Sequence, residues 1–312
     1  MISRRAVARA GLVCALSAAL SGCATVKYYR GKAAERDGVI VAPQVLSASQ
    51  SEASPPAGMQ YLYGSGEGAA ASIQAFRALL DYVQLRASVR PAEGAVLAEG
   101  STFSVPRFLP CGDRPFAVIF DVDETLVLNL GFEYFDARVG RGSDDRSWTK
   151  WEQTGETKVA PVPGAVYAVD LLRRLNIKVV FNSNRASENA EQTRAVLRYA
   201  GLGTAVHGET LFLKGDDAMG SRKDGRRWTI AERYCVLAMV GDQLGDFSDL
   251  YAGAPSIPSR RAAATDGELS KMWGNGWFLL PNPVYGSALK GDFDDVFPVD
   301  KRWGVPTAKE AK

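Results

Sequence analysis

Phe116-Ala117-Val118-Ile119-Phe120-Asp121-Val122-Asp123-Glu124-Thr125 decides the fold. Five apolar residues run without alternation and stop abruptly at acids. A short, β-branched, non-alternating run suits a strand covered on both faces. The pattern recurs twice. Ile177-Lys178-Val179-Val180-Phe181 ends in Asn182-Ser183-Asn184, and the run from Tyr234 to Val240 ends in Gly241-Asp242. Helical patterns lie between, at about 164–175, 187–200 and 226–233. Strands alternating with helices predict an α/β fold with a doubly wound parallel sheet. Ligands bind such sheets beyond the carboxyl ends of the strands, where all three runs carry their polar residues.

Asp121 and Asp123, two residues apart just past a strand, face one pocket if the chain kinks there. Gly241-Asp242-Gln243-Leu244-Gly245-Asp246-Phe247 places two more aspartates after another buried strand. If the strands are neighbours, Asp121, Asp123, Asp242 and Asp246 converge. Burying like charges together is unfavourable unless a cation or proton offsets them. Oxygen ligands without histidine or thiolate describe a hard-cation site suited to Mg2+, which keeps waters and meets substrate phosphates. Ser183, with Asn184 beside it, offers a hydroxyl and backbone N–H groups to a phosphate oxygen. Lys223, in the basic run Ser221 to Arg227, is placed to bridge carboxylates and phosphoryl oxygens, although that run also reads as a solvated helix face.

Composition narrows the chemistry. The 312 residues are 46% hydrophobic and 23% charged, which excludes collagen-like, wholly disordered and polytopic membrane classes. Net charge is +2, so no basic excess argues for a nucleic-acid duplex as partner. His207 is the only histidine. Histidine-nucleophile phosphatases are excluded, and Ser-His-Asp chemistry and multi-histidine zinc sites are disfavoured. A lone histidine in a helix-to-strand connection reads as exposed rather than as a haem ligand.

Residues 1–22 combine Arg4, Arg5 and Arg9 with an apolar run from about Ala10 to Leu20, too short to span a bilayer. Leu20-Ser21-Gly22-Cys23 closes it like a bacterial lipobox, with Cys23 as the lipidation site. A plain cleaved signal with an incidental cysteine is the alternative. The expected location is the bacterial cell envelope, lipid-anchored, by analogy at the outer membrane and facing the periplasm or the surface. Residues 23–58, rich in Ala, Ser, Gln and Pro, read as a flexible tether, and residues 59–312 as the folded domain. Val39-Ile40-Val41 is apolar enough to dock on that domain instead. Within the domain, Ile73, Phe76, Leu79, Leu80 and Val83 are spaced for a helix over about 67–88. Gly64-Ser65-Gly66-Glu67-Gly68-Ala69 fits a loose dinucleotide fingerprint, but no convincing strand precedes it and a helix-entry loop is the better reading.

Taken in chain order, Asp121-x-Asp123-x-Thr125, Ser183, Lys223 and Gly241-Asp242-x-x-x-Asp246 resemble the haloacid dehalogenase superfamily phosphatases. Phe120 to Thr125, Asn182-Ser183-Asn184-Arg185, Asp246-Phe247 and Leu280-Pro281-Asn282-Pro283-Val284-Tyr285-Gly286-Ser287 are similar to class C nonspecific acid phosphatases, which include the lipoprotein e type. The resemblance covers scattered segments from about residue 60 to 305. Leu128, Gln243 and Ala288 depart from the family pattern without removing a catalytic carboxylate, so they bear on substrate preference more than on chemistry.

The resemblance implies a Rossmannoid sheet with a small helical cap or flap, here the insertion of about 126–160. It implies a membrane-anchored, Mg2+-dependent acid phosphatase that hydrolyses small phosphomonoesters, nucleoside monophosphates among them, through an aspartyl-phosphate. Asp121 is then the nucleophile and Asp123 the general acid and base. Mg2+ is held by the Asp121 and Asp242 carboxylates and the Asp123 carbonyl, with Asp246 orienting a metal water or Lys223. Asp123, among other carboxylates, is expected to stay protonated at mildly acidic pH. Phe132, Tyr134 and Tyr285 are candidates for stacking on a nucleobase, with ordinary cap packing the alternative for each ring. An envelope phosphotransferase or a non-catalytic binding lipoprotein are the competing functions; the oligomeric state is not legible. Cys111 and Cys235 lie upstream of Asp121 and Asp242 by ten and seven residues. A disulfide is open to them, although a three-residue offset is about 10 Å if both segments are extended.

Overall fold

The computed structural model describes residues 54–139 and 144–304. The signal, Cys23 and most of the stretch read as a tether lie outside them. No helix among the described residues is long and apolar enough to cross a membrane.

The strands, in chain order, are β1 (Glu93–Leu97), β2 (Phe108–Pro110), β3 (Phe116–Phe120), β4 (Val127–Leu128), β5 (Ala160–Pro161), β6 (Lys178–Ala186), β7 (Leu211–Lys214), β8 (Cys235–Gly241) and β9 (Trp277–Leu279). The helices are α1 (Ala57–Met59), α2 (Gly66–Ser88), α3 (Leu130–Val139), α4 (Asp145–Thr154), α5 (Ala165–Arg174), α6 (Ala190–Tyr199), α7 (Asp224–Arg233), α8 (Ile257–Thr265) and α9 (Phe293–Val296).

Five strands form one sheet in the order β7-β6-β3-β8-β9, every pair parallel. The strand carrying Asp121 is central and lies between the strands that lead to Ser183 and Asp242. Along β3, Val118 and Phe120 pack into one core with Phe76, Leu79 and Val83 of α2. Ala117 and Ile119 face the other way, toward Ile230 of α7 and Trp277. Both faces are therefore buried, which is why the run shows no alternation. Each fully buried branched or aromatic side chain contributes roughly 1.5–3 kcal/mol.

β7 and β9 are only four and three residues long. Segments that short carry no readable period, and the sequence gives no sign of them. Helix α2 opens with Ser65, whose hydroxyl accepts from Gly68 N at 2.9 Å. The glycine-rich stretch is thus a helix entry. Its approach is already ordered, since α1 lies within the stretch read as tether and a Cβ on Gly58 would fall 1.9 Å from the Pro283 carbonyl oxygen.

The insertion after β3 is closed at its base by the antiparallel β4–β5 pair and carries α3 and α4. Glu152 of α4 ties it to the end of β6. It accepts from Ala186 N at 3.2 Å and from Asn189 Nδ2 at 2.6 Å.

Cys111 and Cys235 form a disulfide, with Cα atoms 4.5 Å apart. The extended-chain offset does not arise because residues 112–113 turn. Phe116 then pairs with Cys235 in register, and Cys111 folds back beside the start of β8.

Candidate active site

Register delivers the acids to one place. Phe120 is level with Val240 on one side and with Phe181 on the other. The ladder runs one step further, Asp121 N donating to Val240 O at 2.9 Å. The chain then kinks. Leu126 N and Val127 N both reach back to Val122 O, at 2.9 and 3.0 Å, and Glu124 adopts a left-handed conformation with φ 54°. Such a conformation in a non-glycine residue costs of order 1–3 kcal/mol. Four hydrogen bonds hold Glu124 in it: from Asn129 N (2.8 Å), Asn129 Nδ2 (3.0 Å), Tyr63 OH (3.2 Å) and Tyr285 OH.

The kink brings Asp121 and Asp123 to one cavity of about 290 Å³, shared with Lys223, Asp242 and Asp246. Carboxylate oxygens of Asp121, Asp242 and Asp246 all lie within 4.8 Å of one another. Burial, partly offset by Lys223, pushes the Asp121 carboxyl well above the usual range. Burial and then the charge of Asp246 push Asp242 up to about 7. Lys223 Nζ bridges Asp121 Oδ1 and Asp246 Oδ1, the latter at 2.7 Å. Those two charges hold the buried lysine above its ordinary value against desolvation.

Asp246 is fully committed. Its other oxygen accepts from Asp242 N (3.1 Å) and Gln243 N (2.9 Å). This close return of the loop explains Gly241, where a Cβ would lie 2.3 Å from that of Asp246. Asp242 is oriented by Thr125 Oγ1 at 3.0 Å, Gln243 Nε2 at 3.0 Å and Asn282 Nδ2 at 2.7 Å. The donor set is all oxygen, carries three acids against one lysine, and fits a hard divalent cation such as Mg2+.

Asp123, expected among neighbouring carboxylates, also has a buried cation against it. The buried guanidinium of Arg185 grips Asp123 Oδ1 through Nη2 at 2.7 Å and Nε at 2.9 Å. Asn129 Nδ2 donates to the same oxygen at 2.9 Å. Oδ2 is less engaged, with Arg185 Nε at 3.2 Å and Ser183 Oγ at 3.5 Å.

Ser183 is fully buried and accepts from Arg185 N at 3.1 Å, so its hydroxyl is turned to the Asp123 side. Asn184 lines the cavity, with its amide held by Arg226 Nη2 at 2.7 Å and by Ser221 O at 3.0 Å. Of the three rings named for stacking, Phe132 and Tyr285 line the cavity and Tyr134 does not. Tyr134 is 69% exposed, because a helix turns residues two apart on α3 to opposite sides. Trp148 lines the cavity as well and packs edge-on to Phe132 at 4.9 Å. His207 is exposed, as expected, 2.8 Å from Asp216 and not among the residues lining this cavity.

Sequence reasoning missed Arg185 as the partner of Asp123, and with it Asn129, Glu124, Asn282 and Tyr63. Arg185 and Asn282 sit inside quoted motifs, and a charged or amide residue in a run that must be buried was the available signal.

A family model described as HAD superfamily, subfamily IIIB (Acid phosphatase), matches residues 73–288. The chain is 29% identical to Acid phosphatase 1 of Solanum lycopersicum over 174 residues, 54% of this chain and 57% of that protein. It thus spans little more than half of that relative's length. A class C acid phosphatase from Bacillus anthracis with tungstate bound superposes with a TM-score of 0.60 at 19% identity, covering 81% of this chain and 92% of that one. A second structure of the Bacillus anthracis class C acid phosphatase gives 0.59 at 21% identity, covering 74% and 84%. At such identities the likeness is one of fold.

Proposed function

The chain belongs to the acid phosphatase family of the HAD superfamily, subfamily IIIB, and from that premise we propose that it is a divalent-metal-dependent acid phosphatase acting on small phosphomonoesters through an aspartyl-phosphate. The observation that carries this reading is the convergence of Asp121, Asp242 and Asp246 within 4.8 Å, with Lys223 bridging two of them and Asp123 beside them. A cluster of buried acids with one compensating lysine is a poor structural element and a good place for a cation and a phosphoryl group.

Asp121 attacks phosphorus through a carboxylate oxygen. The bond to the leaving oxygen breaks, and its electron pair departs with that oxygen, which takes a proton from Asp123. Oδ2 of Asp123 is the oxygen for this transfer, since Oδ1 is occupied by Arg185 and Asn129. In the second half, Asp123 removes a proton from water as the water oxygen bonds to phosphorus, and the bond to Asp121 breaks. Lys223 neutralises part of the phosphoryl charge and holds Asp121 in place. Asp121, the Asp123 carbonyl and Asp242 would hold a Mg2+, which would supply further positive charge for phosphate binding and transition-state stabilisation. Ser183 and Asn184 complete the phosphate side, and Phe132 and Tyr285 form part of the wall toward the leaving group.

We place the protein at the bacterial envelope through a lipid on Cys23; the support is the order of basic start, apolar run and Leu20-Ser21-Gly22-Cys23. The test of function is phosphate release from a panel of monoesters, nucleoside monophosphates included, with and without Mg2+, from acid to neutral pH. Turnover that chelation abolishes and Asp121→Asn removes without unfolding is expected. Metal-independent turnover, or turnover surviving Asp121→Asn, overturns the reading.

A further inference from the structure

Glu133, in the first turn of α3, is 6% exposed and lines the cavity. No described residue donates a hydrogen bond to its side chain, and among the described residues the charges that act on it are those of the acids Asp136 and Asp123. Glu152 of the same insertion shows the contrast, being satisfied by Trp148 Nε1, Ala186 N and Asn189 Nδ2. A buried carboxylate that the protein does not pair is costly, and one aimed into a cavity finds its partner in a ligand.

The surroundings say which partner. Phe132 and Trp148 stand perpendicular at 4.9 Å and line the same cavity as Glu133 and Tyr285, with the Arg185 guanidinium 5.9 Å from the Trp148 ring centre. Aromatic rings with a carboxylate are the chemistry that recognises an organic cation. Asp144 and Asp145 add negative charge along the rim, although one oxygen of Asp144 caps α4 through Ser147 N at 2.6 Å. The cavity lining thus carries two kinds of group: Lys223 with the metal-fitting acids suits the phosphate, and Glu133 with the aromatic rings suits the leaving group.

Resting on the phosphatase reading, we propose that the preferred substrates are phosphomonoesters whose alcohol carries an ammonium group, with Glu133 the specificity-determining acceptor for that group beside Phe132 and Trp148. A leaving group bearing a carboxylate meets like charge there and is disfavoured.

The experiment compares kcat/KM for phosphoethanolamine, the neutral propyl phosphate and the carboxylate-bearing phosphoglycolate, with p-nitrophenyl phosphate as a reference, in Mg2+ and at neutral pH. The expected order is ammonium, neutral, carboxylate, with about tenfold between the first two. Glu133→Gln brings the ammonium-to-neutral ratio toward one, mainly through KM, and Glu133→Asp lowers it partway. The variants separate recognition from the ammonium group's own effect on the leaving oxygen; if neither folds, the wild-type order decides. A wild-type ratio within about twofold of one, or a ratio that Glu133→Gln leaves unchanged, overturns this inference while the phosphatase reading stands. Failure to hydrolyse any ester, p-nitrophenyl phosphate included, removes both.

Discussion

The Arg185 guanidinium holds the Asp123 carboxylate by two nitrogens on one oxygen, Nη2 at 2.7 Å and Nε at 2.9 Å. Arg185 is 1% exposed and also donates to Asn129 at 3.0 Å. With Asp123 proposed as the general acid, this planar fork fixes it and leaves its second oxygen with the longer contacts only. Arg185→Lys keeps the charge but loses the fork. A fall in kcat of about 10²-fold is expected, with KM less affected. Arg185→Ala should in addition destabilise the protein by about 3–5 kcal/mol, since it leaves Asp123 without its buried partner. Steady-state kinetics and chemical denaturation measure the two effects; unchanged kcat in Arg185→Lys would show that Asp123 needs no such clamp.

Metal binding should be linked to protons. Burial and the charge of Asp246 push Asp242 up to about 7. Below that pH the carboxyl holds a proton that a cation must displace. Apparent Mg2+ affinity therefore weakens as pH falls through 7, by about tenfold per unit if one proton is displaced. Calorimetry across the acid-to-neutral range checks this, and Asp242→Asn should abolish the binding. An affinity flat with pH would contradict the assignment of Asp242 as a ligand.

Glu133 carries a stability cost that pH exposes. Burial, with the charges of Asp136 and Asp123, pushes it from 4.5 up to about 7. Between those values the folded protein holds a proton that the unfolded chain has released. The associated stability is complete below about 4.5 and is lost as pH rises through about 7. Glu133→Gln removes this titration. The metal-free variant should exceed wild type in stability by about 1–3 kcal/mol at neutral pH, with the difference vanishing in acid. Melting curves at several pH values decide it, and a less stable variant at neutral pH would be the contrary result.

The Cys111–Cys235 disulfide closes a loop with a sequence separation of 124. It lies at the start of β8, opposite the strand ends that carry the acids. Replacing both cysteines by serine should lower stability by roughly 2–5 kcal/mol through the freed unfolded chain. kcat should stay within about twofold, because Asp121 and Asp242 are positioned by the far end of the ladder. Denaturation and kinetics of the double variant test both halves; a collapse of kcat in a folded double variant would show that the two ends of the sheet are coupled.

The apolar runs ending at Asp121, Ser183 and Gly241 were sufficient to read a parallel sheet with acids at its carboxyl end. A strand buried on both faces imprints itself as an unbroken run, and polar residues can follow only where the chain leaves the sheet. Clustering of Asp121 with Asp242 required one further assumption, that their strands are neighbours, and the register supplies it. The clamp of Arg185 on Asp123 spans 62 residues, and the bond from Tyr285 to Glu124 spans 161. Nothing local marks either pair. The same holds for the turn that brings Cys111 beside Cys235, and for the helical phase that buries Glu133 while exposing Tyr134. Side-chain direction at the end of a long separation depends on how helices, insertion and sheet pack together, so the local sequence set the strand ends and their chemistry, and only packing chose which partners meet there.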